Sequence, residues 1–373
     1  MAGIYLHVPF CKQRCTYCDF HFSTRFEGYR KELIAAMNLE IQLRKDEITD
    51  EIQTIYLGGG TPSLLTADEL EGLMRTINTQ FSVSNEAEIT LEANPEDISE
   101  ENLIQWKKNG INRLSIGIQS FRENDIRWMN RGHHPNESID AVILAKKQGF
   151  STITIDLIYG LPQLSLEEWK THLQQVIDLE INHISAYCLT IEPKTVLRHQ
   201  VSKGKISTPD NESQSVQFEF MQDFLALNGF EQYEISNFAK NQAYSKHNSS
   251  YWNGTPYIGI GPSAHSFDRA SRRWNVANNT LYYKNVGKND TWFESEILSL
   301  KDRWNELFLT GLRTKWGVSK SQIEALGGFS SFEKQLISHL ITDGEMLENE
   351  TNYVLTVSGK LRADGIAQDF FRV

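Results

Sequence analysis

The chain has 373 residues, 40% of them hydrophobic and 23% charged, with a formal net charge of -11. This is the composition of a soluble protein with enough apolar side chains for a real core, long enough for one large domain and a smaller one. No run of about 18 apolar residues could span a membrane, and the acidic total argues against nucleic acid or an anionic membrane surface as the main partner, though it leaves looser membrane association open.

The opening MAGIYLHVPFCKQRC has no basic region followed by a long apolar stretch, so it does not read as a secretory signal. From there, short apolar runs alternate with amphipathic stretches. The strand-like runs are IYLHV (4–8), TIYLG (54–58), EITLEA (88–93), RLSIGI (113–118), TITIDLIYG (152–160) and HISAYCLTI (183–191). Helical patterns cover 28–46, 66–79, 99–109, 136–149 and 165–179. Thr66 with Glu69, and Ser165 with Glu168, have the spacing of capping boxes, and Ser99 is placed to cap the helix that follows it.

Six βα units in a row predict a parallel sheet wrapped by helices, either doubly wound or an incomplete (β/α) barrel. Both architectures bind ligands at the carboxyl ends of their strands. The unusual residues fall at those ends: cysteines after the first run, GGGTP after the second, Glu92 in the third and Gln119 after the fourth.

Farther along, VSKGKISTPDNES (200–212) reads as a polar loop before a helix at 212–229. Residues 236–294 read as a connecting segment that contains KHNSSYWNG. From about 295, helical patterns at 298–313, 318–326 and 331–343 lead to a hairpin around MLENETNYVLT, which predicts a small winged-helix-like α+β module. Nine Lys/Arg against ten Asp/Glu over 300–373 argue against a DNA-reading role for this module.

Four cysteines are present, and three crowd into C-K-Q-R-C-T-Y-C as Cys11, Cys15 and Cys18. A disulfide framework would spread its pairs, so the pattern points to a reducing, cytoplasmic compartment. Three thiolates in a loop after a strand can converge on an iron–sulfur cluster, leaving one iron open. The rival is zinc completed by Asp19, His21 or His7. Cys188 sits mid-strand and reads as a small buried hydrophobe. GGGTP lets backbone approach a ligand closely, but it lacks the Lys-Ser/Thr ending of a phosphate loop. Glu92 could accept ribose hydroxyls, and Arg131 could pair a ligand carboxylate; Gln119 and Asp156 are ordinary alone and gain weight only from their shared phasing.

Taken in order, C-x3-C-x2-C, YLGGGTPS, LEANPE, SIGIQSF and DLIYGLP resemble the radical S-adenosylmethionine superfamily over essentially the whole chain. Closer still, they are similar to its branch of oxygen-independent coproporphyrinogen-dehydrogenase-like proteins. The resemblance implies an incomplete (β/α)6 barrel over 1–235, with the C-terminal module over 295–373. It also implies a [4Fe–4S] cluster on Cys11, Cys15 and Cys18, whose open iron chelates S-adenosylmethionine; reductive cleavage of that sulfonium yields a 5′-deoxyadenosyl radical. Tyr5 and Tyr17 correspond to aromatic positions beside the cofactor, and Gly59, Gly60 and Thr61 to the contact with its amino group. Glu92, Gln119, Arg131 and Asp156 match the remaining polar contacts, and Thr190 lies at another cofactor-lining strand end.

Two departures separate the chain from the dehydrogenase. Phe20 stands where that enzyme has a further cysteine, and the long extension before the first strand is missing. Both features resemble the HemW-type haem chaperones, which carry an H-N-x-x-Y-W motif, here His247, Asn248, Tyr251 and Trp252. That resemblance implies haem as a ligand near His247, haem-acceptor proteins as partners, coproporphyrinogen dehydrogenase activity absent, and a cluster-dependent dimer as one assembly to test.

Overall fold

The computed structural model describes residues 1–207, 210–288 and 290–372. The six expected strands form as β1 (Ala2–Val8), β2 (Ile52–Gly59), β3 (Val83–Ala93), β4 (Arg113–Gln119), β5 (Thr152–Tyr159) and β6 (His183–Cys188). They lie in sequence order and each pairs parallel with the next. A doubly wound sheet reverses its order at a switch point; an unbroken 1-to-6 progression winds one way, as a barrel does. The ends of these strands also face one shared cavity, which a flat sheet could not arrange. The incomplete barrel therefore wins over the doubly wound alternative.

The helices between the strands start where the sequence placed them. Thr66 and Ser165 complete capping boxes with Glu69 and Glu168, and Ser99 accepts the backbone N–H of Asn102. On the opposite strand faces from the cavity residues, Leu57, Leu91, Ile116 and Leu157 are fully buried in one continuous core.

Residues 236–294 do more than connect. Together with β7 (Glu231–Glu234), they supply β8 (Asn237–Ala239), β9 (Tyr257–Ile260), β10 (His265–Phe267), β11 (Ser271–Asn275) and β12 (Phe293–Ile297). β9 pairs parallel with β1 and β8 antiparallel with β6, so the sheet is extended at both ends. Strands of three to five residues with partly exposed polar faces, such as SRRWN and FESEI, carry too little alternation to be read from sequence. In the polar stretch 200–212, Val196–Ser202 is helical and the next helix begins at Asn211, while 208 and 209 lie outside the described residues.

The C-terminal module has its own core around Trp304, Phe308, Ile366 and Phe370. Its strands β13 (Val318–Ser319), β14 (Met346–Glu348) and β15 (Asn352–Leu355) form a small sheet beside helices Leu300–Gly311, Lys320–Ala325 and Ser331–Thr342. Arg313 fastens the module to the barrel by bonding both Glu234 and Asp364.

Candidate functional site

β1 runs out at Val8, and the chain then closes a ring on itself. Ser23 donates to Pro9 O at 2.8 Å and Cys11 donates to Ser23 O at 3.1 Å. The enclosed loop carries all three cysteines and is pinned from several sides. Lys12 pairs with Asp97, which also accepts Ser63 Oγ at 2.7 Å. Thr16 N–H donates to Met129 O, and Asn130 Nδ2 to Arg14 O. Two donors reach sulfur: Thr61 Oγ1 lies 3.5 Å from Cys11 Sγ, and Arg131 Nη1 lies 3.5 Å from Cys15 Sγ.

Burial pushes the Cys11 thiol up to about 11 and the Cys18 thiol to about 12. Without a cationic partner these sulfurs keep their protons; as ligands they need the positive charge of a metal beside them. The zinc alternative is weakened at two of its three candidate fourth ligands. Both ring nitrogens of His7 are engaged, by Tyr5 OH and His21 O, and His21 Nε2 is bonded to Asn279. Among the described residues no three His, Cys, Asp or Glu converge on one ion. Thiolates that each bind a separate iron of a cluster need not converge on a point.

The loop forms one wall of a cavity of about 610 Å³ at the strand ends, within the size range of small-molecule sites. β2 contributes Gly59, followed by Gly60 and Thr61; β3 contributes Glu92; β5 contributes Asp156. Tyr17, Arg131 and the exposed Thr190 also line it, as expected from sequence. Gln119 also lines it, with a left-handed φ of 69° that shifts the register between β4 and β5. Such a backbone is costly for a residue with a Cβ and clusters at functional sites.

The electrostatics favour an amphoteric ligand. Arg131 donates to Gly117 O and Asn94 Oδ1, both at 2.7 Å, and its Nε is a buried donor without a partner. A Cβ on Gly117 would lie 2.9 Å from Gln119 Nε2 and 3.2 Å from that guanidinium. Although burial opposes it, the negative groups around Arg131 hold its charge firmly. Burial pushes Glu92 and Asp156 each up to about 7. Tyr56 OH donates to Glu92 Oε1 at 2.8 Å, and Ser115 Oγ donates to Asp156 at 3.0 Å.

Tyr5 and His247 are not at the cavity. Tyr5 lies beneath it, its hydroxyl 3.1 Å from His7 Nδ1. His247, on helix Lys246–Trp252, is buried against β2, with Nδ1 2.8 Å from Thr54 Oγ1 and Nε2 2.9 Å from Tyr251 OH. Burial lowers its pKa to about 3. Both ring nitrogens of His247, the residue expected near haem, have protein partners in this arrangement. Cys188, expected to be buried, is only half-buried and lines the cavity. Sequence reasoning missed Tyr56 and Asp97, which support the site from behind, and Asn94 and the module's Arg313 and Asp364, which line the cavity.

Residues 5–176 match the model of the Radical SAM superfamily. A Bacillus subtilis protein named "Heme chaperone HemW" is 32% identical, with 97% of each chain covered. A Haemophilus influenzae protein of the same name is 34% identical over 96% of this chain and 95% of its own. The chain belongs to the HemW family of radical SAM proteins. Its fold is that of Escherichia coli coproporphyrinogen III oxidase, HemN: the TM-score is 0.85 over 99% of this chain and 89% of that one, at 23% identity.

Membership of the HemW family implies a [4Fe–4S] cluster and S-adenosylmethionine, and the residues present fit them. Three thiols share one loop, two of them already approached by donors, and Arg131, with an orphaned guanidinium N–H, lines the same cavity as two buried carboxyls. No helix among the described residues is long and apolar enough to cross a membrane.

Proposed function

We propose that this chain is a haem chaperone that binds haem and passes it to acceptor proteins, keeping a [4Fe–4S] cluster on Cys11, Cys15 and Cys18 and an S-adenosylmethionine site above it. Bound there, the cluster would supply one-electron chemistry. Arg131 would hold the ligand's carboxylate, Gly59, Gly60 and Thr61 its amino group, and Glu92 the ribose hydroxyls.

The observation that carries the chaperone reading over coproporphyrinogen dehydrogenation is Phe20. It stands where the dehydrogenase branch has a cysteine. Phe20 is 68% exposed where it lines the cavity, which the 44% exposed Tyr187 also lines. Exposed aromatic faces suit a flat porphyrin better than they suit water.

Adding haem to the anaerobically reconstituted chain should give a saturable Soret band, and added apomyoglobin should then take the haem. Phe20→Ala should weaken haem binding about tenfold, the scale of one lost aromatic contact. Absence of a saturable band in the unmutated chain would contradict the reading.

A further inference from the structure

The HNSSYW segment has no role in the cavity itself, yet the interior face of β2 links the two. Residues of one strand face share a side at every second position, and here these are Thr54, Tyr56 and Gly58. Thr54 Oγ1 bonds His247 Nδ1 at 2.8 Å. The His247 ring stacks on Tyr56 with centroids 5.0 Å apart and planes at 26°. Tyr56 OH reaches Glu92 Oε1 at 2.8 Å, while Gly59 N–H holds Oε2 at 3.2 Å. Only then does the cavity begin.

Two glycines record how tightly this column is built. A Cβ on Gly58 would lie 2.9 Å from Tyr56, 3.0 Å from the Tyr5 ring and 3.1 Å from Glu92 Oε1. A Cβ on Gly3 would lie 2.7 Å from Thr54 Oγ1 and 3.4 Å from the His247 ring. The first glycine of GGGTP thus makes room for the support of the carboxylate. The base of the column is fixed too, because His247 N–H donates to Glu88 Oε1 at 3.0 Å and Glu88 pairs with the buried Arg113.

We propose that Tyr56 is a positioning residue for Glu92, and that the HNSSYW segment is the floor that seats Tyr56, so the segment acts on the S-adenosylmethionine site from beneath. The inference rests on reading Glu92 as a contact of that ligand. Packing alone would be satisfied by phenylalanine at 56; the hydroxyl is needed only to hold a cavity carboxylate whose other oxygen is already tied to the GGGTP backbone. A carboxylate held at both oxygens presents its remaining lone pairs in one direction, which is what a pair of ribose hydroxyls requires.

The test measures S-adenosylmethionine affinity of the anaerobically reconstituted full chain, by equilibrium dialysis, for Tyr56→Phe, Glu92→Gln and the double variant. Tyr56→Phe should bind about tenfold more weakly, the scale of a lost hydrogen bond to a carboxylate, with iron content and melting temperature unchanged. If Tyr56 acts through Glu92, the double variant loses no more than Glu92→Gln alone. His247→Ala, which removes the stacked ring, should weaken binding in the same Glu92-dependent way. Unchanged affinity in Tyr56→Phe, or additive losses in the double variant, would overturn the inference. If Glu92→Gln binds as tightly as the unmutated chain, the reading of Glu92 falls and the inference falls with it.

Discussion

At the scale of single residues, the cavity carboxyls set a stability that depends on pH in an unusual direction. Glu92 and Asp156 titrate near 7 because burial penalises their charge, so below that value the folded chain binds protons that the unfolded chain has released. Stability from these two groups is present at low pH and is lost as pH rises from the ordinary carboxylate range through about 7. Glu92→Gln should therefore stabilise the cluster-free protein at pH 8 by about 1–3 kcal/mol and change little at pH 5. Urea unfolding at the two pH values checks this, and a destabilised variant at pH 8 would mean the carboxylate is better solvated than its burial implies. Three cysteines at fixed spacing, a Gly-rich turn and Glu92 were legible as a site because their residue types are chemically conspicuous. Tyr56 was not, since a tyrosine in a strand reads as packing until its hydroxyl is seen to meet a carboxylate.

At the scale of elements, the cysteine loop has little regular structure of its own and depends on its neighbours. Asp97, almost fully buried, ties Lys12 of the loop to Ser63 of the turn after β2. Removing it leaves a hydroxyl and an ammonium without their acceptor, a cost of about 1–3 kcal/mol. Asp97→Ala should therefore lose iron to a chelator several-fold faster than the unmutated chain, with Asp97→Asn in between; equal rates for all three would show that the loop holds its shape unaided. The parallel strands and their capped helices could be read from sequence because apolar periodicity and capping boxes are local signals. The HNSSYW helix shows the limit of such reading. Its motif suggested a ligand contact, but only the folded arrangement, with Thr54 Oγ1 at Nδ1 and Tyr251 OH at Nε2, shows that both ring nitrogens of His247 are already used.

At the scale of the molecule, the parallel barrel and the C-terminal module meet at the cavity. Arg313 bonds Glu234 of β7 and Asp364 of the module, with the Trp252 ring 5.3 Å from its guanidinium. One side of the cavity is thus made by a part of the chain remote in sequence. The fold class was legible from the order of the elements, whereas the strands contributed by 236–294 were hidden by their shortness and polarity. The chain belongs to a radical SAM family, and the proposed function takes Phe20 as the residue that separates binding a porphyrin from oxidising one. The most direct measurement of that claim supplies the anaerobically reconstituted chain with coproporphyrinogen III, S-adenosylmethionine and a reductant, and follows protoporphyrinogen IX formation. The account predicts a cluster-bearing protein that forms none while still binding haem; sustained turnover to protoporphyrinogen IX would contradict it.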